Sequence, residues 1–209
     1  MNTQWLRAGA MGSFIAAGLL VVQFIIGSVI GTNLGILDMS FNLAHITAFL
    51  HLQEIPMTLL MVTDNLFVVA YTVAFVGLAF YLLPRNRLLA LVALGFALLT
   101  SATDFTENSL TIVMTRAAAN GATLESGWLL VLQILAQLKY LWIYVAVTLF
   151  AIGIWDKPRM HRIVAVLFWL FPILGIGAAF SVAATMTRVL WMFVLLIAGG
   201  IFLWRSAEA

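Results

Sequence analysis

Of the 209 residues, 64% are hydrophobic and only 9% are charged, against roughly 25% charged residues in a soluble domain. With a mean hydropathy of +1.12, the chain lacks the charge needed to cover a soluble globular surface. The net charge of +2 does not point to nucleic acid, because the basic residues are dispersed at the ends of apolar runs. The absence of cysteine excludes disulfides, thiolate metal sites, iron–sulfur clusters and covalently attached c-type haem.

Six segments are apolar over enough length to cross a hydrocarbon core of roughly 30 Å. They are residues 10–31, 57–83, 88–110, 128–155, 161–182 and 186–204. The first follows a single arginine, as a signal peptide would, but no small-residue cleavage site ends it, so it reads as a retained helix. Gly27, Gly31 and Gly35 close it with a small-residue ladder suited to tight helix packing. Residues 32–56 carry no lysine or arginine, yet are largely apolar. Within them, 40–55 is expected to form a surface helix, with Ser40 as its cap and Pro56 opening the next helix. His45, His51, Gln53 and Glu54 make this piece too polar to span.

Pro84-Arg85-Asn86-Arg87 forms a tight turn between the second and third segments, making them antiparallel neighbours. Asn120-Gly121 marks the loop before the fourth, and Asp156-Lys157-Pro158-Arg159 closes it. Only Thr185, Thr187 and Arg188 separate the last two. Tryptophans near the predicted ends, among them Trp5, Trp128, Trp155, Trp191 and Trp204, read as interfacial anchors. The expected fold is therefore all-α, a single membrane domain of about six transmembrane helices with no internal repeat.

Chemistry in such a chain is sought among charges placed inside the membrane, since each is costly. Asp64 lies roughly 10 Å below one end of the second segment, Asp104 within about 10 Å of the same end of the third, and Lys139 about 16 Å into the fourth. Thr100, Thr103, Asp104, Glu107, Asn108 and Thr111 recur every three or four residues and form one polar stripe. Asp64 and Tyr71 share a face of the second segment, with Asn65 and Thr72 beside them. Gln133, Gln137, Tyr140 and Tyr144 share a face of the fourth, roughly 100° or more from Lys139. Polar on two sides, this fourth helix is expected near the centre of the bundle.

Three carboxylates and one lysine cannot all be charged cheaply in a low dielectric, so either a proton or a further cation is implied. The candidate ligand- or ion-binding set is Asp64, Asn65, Tyr71, Asp104, Glu107, Asn108, Gln133, Gln137, Lys139 and Tyr140. His45 and His51 are the candidate metal ligands, with the three acids able to complete a zinc or iron set. Their six-residue spacing turns them away from a common face, and no H-E-x-x-H motif is present.

Three functions follow as expectations: a polar pocket on the outer side for a small ligand or ion, as in a transporter, carrier or binding subunit; a membrane-embedded enzyme using the carboxylates; or a structural accessory subunit. No motif specifies a cofactor. The lipid bilayer is the one implied partner, with a homo-oligomer or larger membrane complex open. A bacterial plasma membrane is the expected location.

Orientation is read from basic residues. With a cytoplasmic N-terminus, Arg7, Arg85, Arg87, Lys157, Arg159, Arg162 and Arg205 lie inside, and only Arg116 and Arg188 lie outside. Because the chain has no cysteine, single cysteines at Asn86 and Asn120 report cleanly. They should be labelled from opposite sides, with position 86 cytoplasmic; labelling of both from one side would contradict six spans.

Overall fold

The computed structural model describes residues 3–30, 42–155, 159–178 and 182–208, and every regular element among them is an α-helix. They are α1 (Thr3–Ile30), α2 (Leu43–Leu52), α3 (Glu54–Leu82), α4 (Arg87–Ala119), α5 (Ser126–Ile154), α6 (Arg159–Ala178) and α7 (Val182–Glu208). All but α2 are long and apolar enough to cross a membrane. Ser40, Gly31, Gly35 and the 156–158 break lie outside the described residues.

Local chemistry explains the ends. The Asn86 side chain accepts the Leu89 N–H at 3.0 Å and starts α4 one residue after the turn that follows Pro84. Asn42 caps α2 in the same way, accepting the His45 N–H at 3.1 Å. Gly121, at φ 79°, ends α4. The Ala122 N–H donates to Ala117 O and the Gly121 N–H to Ala118 O, the paired bonds of a Schellman termination, which needs a left-handed residue. α4 thus runs nine residues past the predicted end at 110. Thr111 and Thr115 look like breakers, but each returns its hydroxyl to the carbonyl four residues back, so they continue the helix without an unsatisfied group.

α3 is the most buried span of the bundle. It packs against α1, α4, α5 and α7, and the spans follow one another round the bundle in the order α1, α3, α4, α5, α6, α7, with Leu59, Val62, Leu66 and Val69 of α3 exposed between α1 and α4. This corrects the expectation for α5. Over its most apolar stretch α5 is only 22% buried, the least of the six, whereas α3 is 56% buried. Two polar faces do not place a helix centrally; α3 is covered most, through small and aromatic residues such as Ala70, Tyr71, Ala74 and Gly77.

Backbones of α1 and α3 approach closely. A Cβ added to either Gly9 or Gly77 would come within 2.7 Å of the other's Cα. Small residues let backbones meet this way where lipid gives no hydrophobic drive to association. Ala10, Ala90, Ala93, Ala97, Ala146 and Ala151 serve the same purpose around Phe150 and Phe202, and all are buried. Leu6 and Leu203 belong to this cluster too, so both chain termini sit at one end of the bundle. At the opposite end α2 folds over α3 and α4, burying Ile46 and Leu50 against Met57, Leu60, Met114 and Ala118.

Gly77→Ala should destabilise the protein by about 1–3 kcal/mol through overpacking. Gly18→Ala, where nothing lies within 4 Å, should be neutral or stabilising by up to about 1 kcal/mol through helix propensity. Reversible unfolding in detergent compares them; equal effects would remove the close approach as the cause.

Candidate functional site

The buried stripe of α4 comprises Thr100, Asp104, Asn108, Thr111 and Thr115, at steps of four, four, three and four residues, so it keeps one face turned into the bundle. Because α4 continues to Ala119, Asp104 lies near the helix middle, roughly 23–25 Å from either end. The shallower depth read from a helix ending at 110 is corrected accordingly. Thr103 is set apart from the stripe, half-buried and bonded to Leu99 O.

Lys139 of α5 reaches across to α4. Its Nζ lies 3.0 Å from Asp104 Oδ1 and 2.7 Å from Glu107 Oε2. The two acids are three residues apart on one face of α4, so a single ammonium can bridge them. The Tyr71 hydroxyl on α3 donates to the other Asp104 oxygen at 2.9 Å. Asp104 is thereby held by α3 and α5 together.

The third acid has a different environment. Asp64 Oδ1 accepts from Gln23 Nε2 of α1 at 2.9 Å, and its Oδ2 accepts from Asn108 Nδ2 at 2.7 Å. The same Asn108 amide donates to Asn65 Oδ1 at 3.0 Å. Amide donors stabilise a carboxylate without neutralising it. One turn of α4 before Asp104, Ser101 shares a 2.6 Å hydrogen bond with Thr72 of α3.

Seven of the sequence candidates are thus gathered: Asp64, Asn65, Tyr71, Asp104, Glu107, Asn108 and Lys139. Tyr140 sits at the edge, its ring centroid 5.5 Å from Lys139 Nζ and 3.6 Å from the Arg188 guanidinium. Gln133 is half-buried on the neighbouring face, and Gln137 is exposed on the outside of α5. The histidines do not join the cluster. His45 is exposed, and His51 bonds Ala118 O through Nδ1 at 3.0 Å. Among the described residues no three His, Cys, Asp or Glu side chains are placed to hold a metal ion.

Gln23 and Arg188 are the members that sequence reasoning passed over. Gln23 had a signal, being the lone amide in the apolar run from Leu19 to Ile26. Arg188 had none, since an arginine beside a predicted loop reads as an end marker.

An open groove of about 480 Å³ on the α4/α5 flank is lined by Thr106, Leu110, Val113, Trp128 and Val131, among others. None of the three carboxylates lines it; they are turned toward their bonding partners inside the bundle. No family model, curated protein or solved structure matches this chain, so the site stands on its geometry.

Lys139→Met leaves two buried carboxylates without their cation and should cost about 3–5 kcal/mol. Adding Asp104→Asn or Glu107→Gln should recover part of the loss, with coupling energies of about 1–3 kcal/mol for each pair. Asp64→Asn should couple less, because amides separate it from Lys139. Double-mutant cycles on unfolding in detergent check this; additivity within about 0.5 kcal/mol for Asp104 and Glu107 would contradict the bridge.

Proposed function

We propose that this multi-pass protein binds and releases a small cation, a proton or a monovalent metal ion, at Asp64, beside the Asp104–Lys139–Glu107 bridge. It would act as a small transporter or carrier, or as the ion-handling subunit of a larger membrane complex. The basic residues favour cytoplasmic termini, and the α2 end is then the outer side.

The observation that supports this reading is a surplus of acid. Two hydrogen-bonded groups side by side on α3 and α4 hold three carboxylates, and a single ammonium meets only two of them, which leaves two negative charges if all are ionised. Interhelical seams in membranes are built from neutral groups or matched pairs. Unmatched carboxylates inside a membrane instead mark ion and proton pathways. Asp64 is the natural acceptor. Its partners are neutral amides, so an arriving cation displaces no salt bridge there. The proposed site is accordingly ion-sized, the position of Asp64 between Gln23 of α1 and Asn108 of α4.

A structural accessory role is the second reading, supported by the mutual bonding of the network and by the burial of Asp104 and Asn108. Two measurements on the purified protein separate the readings. If a cation binds, thermal stability in detergent should rise and saturate with sodium or potassium, by about 2.7 kcal/mol at a hundredfold excess over Kd. If the cation is a proton, proteoliposomes carrying an internal pH indicator should show flux under a pH gradient. Asp64→Asn should abolish the response while leaving the protein folded. A chain indifferent to cations and impermeable to protons, with Asp64→Asn merely as stable or more so, would leave the structural reading standing.

A further inference from the structure

The outward face of α5 has features that a purely lipid-facing surface does not. Gly127, Leu130, Ile134, Gln137 and Leu141 are all exposed, at alternating steps of three and four residues; one step on, Tyr144 turns onto α6 and packs edge to face on Phe171. This is the spacing of a left-handed helix-pairing seam. Leu130, Ile134 and Leu141 are 56%, 49% and 50% exposed, so most of each side chain is available to another helix.

Gln137 stands in the middle of this row. Among the described residues it is the one exposed polar side chain away from a helix end that makes no hydrogen bond. Comparable side chains on α4 are satisfied: Thr106 returns its hydroxyl to Ala102 O and Ser109 to Phe105 O. A glutamine amide is too long and has too many donors to be quieted in that way. Left in hydrocarbon, its carbonyl and amino groups lose the hydrogen bonds that water would supply.

We propose that α5 pairs with α5 of a second copy of this chain, with Gln137 hydrogen-bonded to Gln137 across the two-fold axis. The occupant follows from symmetry and chemistry. Copies inserted with one orientation can form a closed pair only about an axis along the membrane normal, which sets identical residues at identical depth. A primary amide has both a donor and an acceptor, so it is its own complement. A different partner would need its own polar group at that depth. One polar residue within an otherwise apolar seam also specifies register. The seam is independent of the ion reading, because Lys139 faces α4 from the other side of α5.

Cysteine cross-linking in membranes tests this on a background with no native cysteine. Ile134→Cys and Leu141→Cys should each give a disulfide-linked dimer on mild oxidation, whereas Leu98→Cys, 46% exposed on α4, should not. In a dilution series across protein-to-lipid ratios, Gln137→Leu should weaken the dimer roughly 3- to 30-fold, the effect of an interhelical hydrogen bond of about 0.6–2 kcal/mol. Its monomer should unfold at an unchanged or higher temperature. A chain monomeric at every ratio, cross-linking at position 98 instead of 134 and 141, or a dimer indifferent to Gln137→Leu would each overturn the proposal.

Discussion

The ammonium of Lys139, held between Asp104 and Glu107, is the constraint around which the middle of this bundle is arranged. A lysine at the centre of a span costs at least about 2.5–3.5 kcal/mol to insert, and that cost is offset only if the carboxylates reach it with good geometry. The requirement fixes α5 against α4 in rotation and in height. Asp104 then needs a donor for its second oxygen, and Tyr71 brings α3 to the same point. Asn108 ties Asp64 and Asn65 of α3 to α4, and Gln23 adds α1. One polar layer thus involves four of the six spans.

Above and below this layer the packing is apolar and of two kinds. Toward the chain termini, glycines and alanines let helices approach until backbones nearly touch, and aromatic rings fill what remains. Tyr81 meets Phe202 edge to face at 4.7 Å and accepts the Arg85 guanidinium over its ring at 4.4 Å, while its hydroxyl bonds His161 Nε2 at 3.2 Å. Toward α2 the fill is flexible, with Met57, Met61 and Met114 packed beneath Ile46 and Leu50. Methionine adapts its shape at little energetic cost. A permeating ion would therefore meet a rigid end and an adaptable one, and the adaptable end lies under the short helix.

α5 connects the two proposals. Lys139 and Gln137 are two residues apart, which in a helix turns them roughly 200° from one another. One faces the acids of α4, and the other faces away from the bundle. A dimer built on the outer face would brace the helix that carries the only lysine of the cluster, so pairing and ion binding would share one rigid element without sharing a residue.

The spans were legible in the sequence because crossing a bilayer is a local property: apolar length decides it. The antiparallel hairpin of α3 and α4 was equally legible, since a four-residue turn through Pro84 and Asn86 leaves no alternative. So was the meeting of Lys139 with acids on that hairpin, because an unpaired charge there is too costly. Helix length was read less well at Thr111 and Thr115, whose hydroxyls count as polar in any hydropathy sum yet are satisfied within their own helix. Which acid the lysine takes, which is left to neutral amides, and that Gln23 supplies one of them depend on how far each helix is rotated about its axis. That rotation is set by contacts far along the chain, such as the approach of Gly9 to Gly77. Apolar pattern and turn chemistry determined the number and order of the spans; only the tertiary packing of small residues decided that α3, not α5, is the most buried of them, and so which face of α5 remains uncovered.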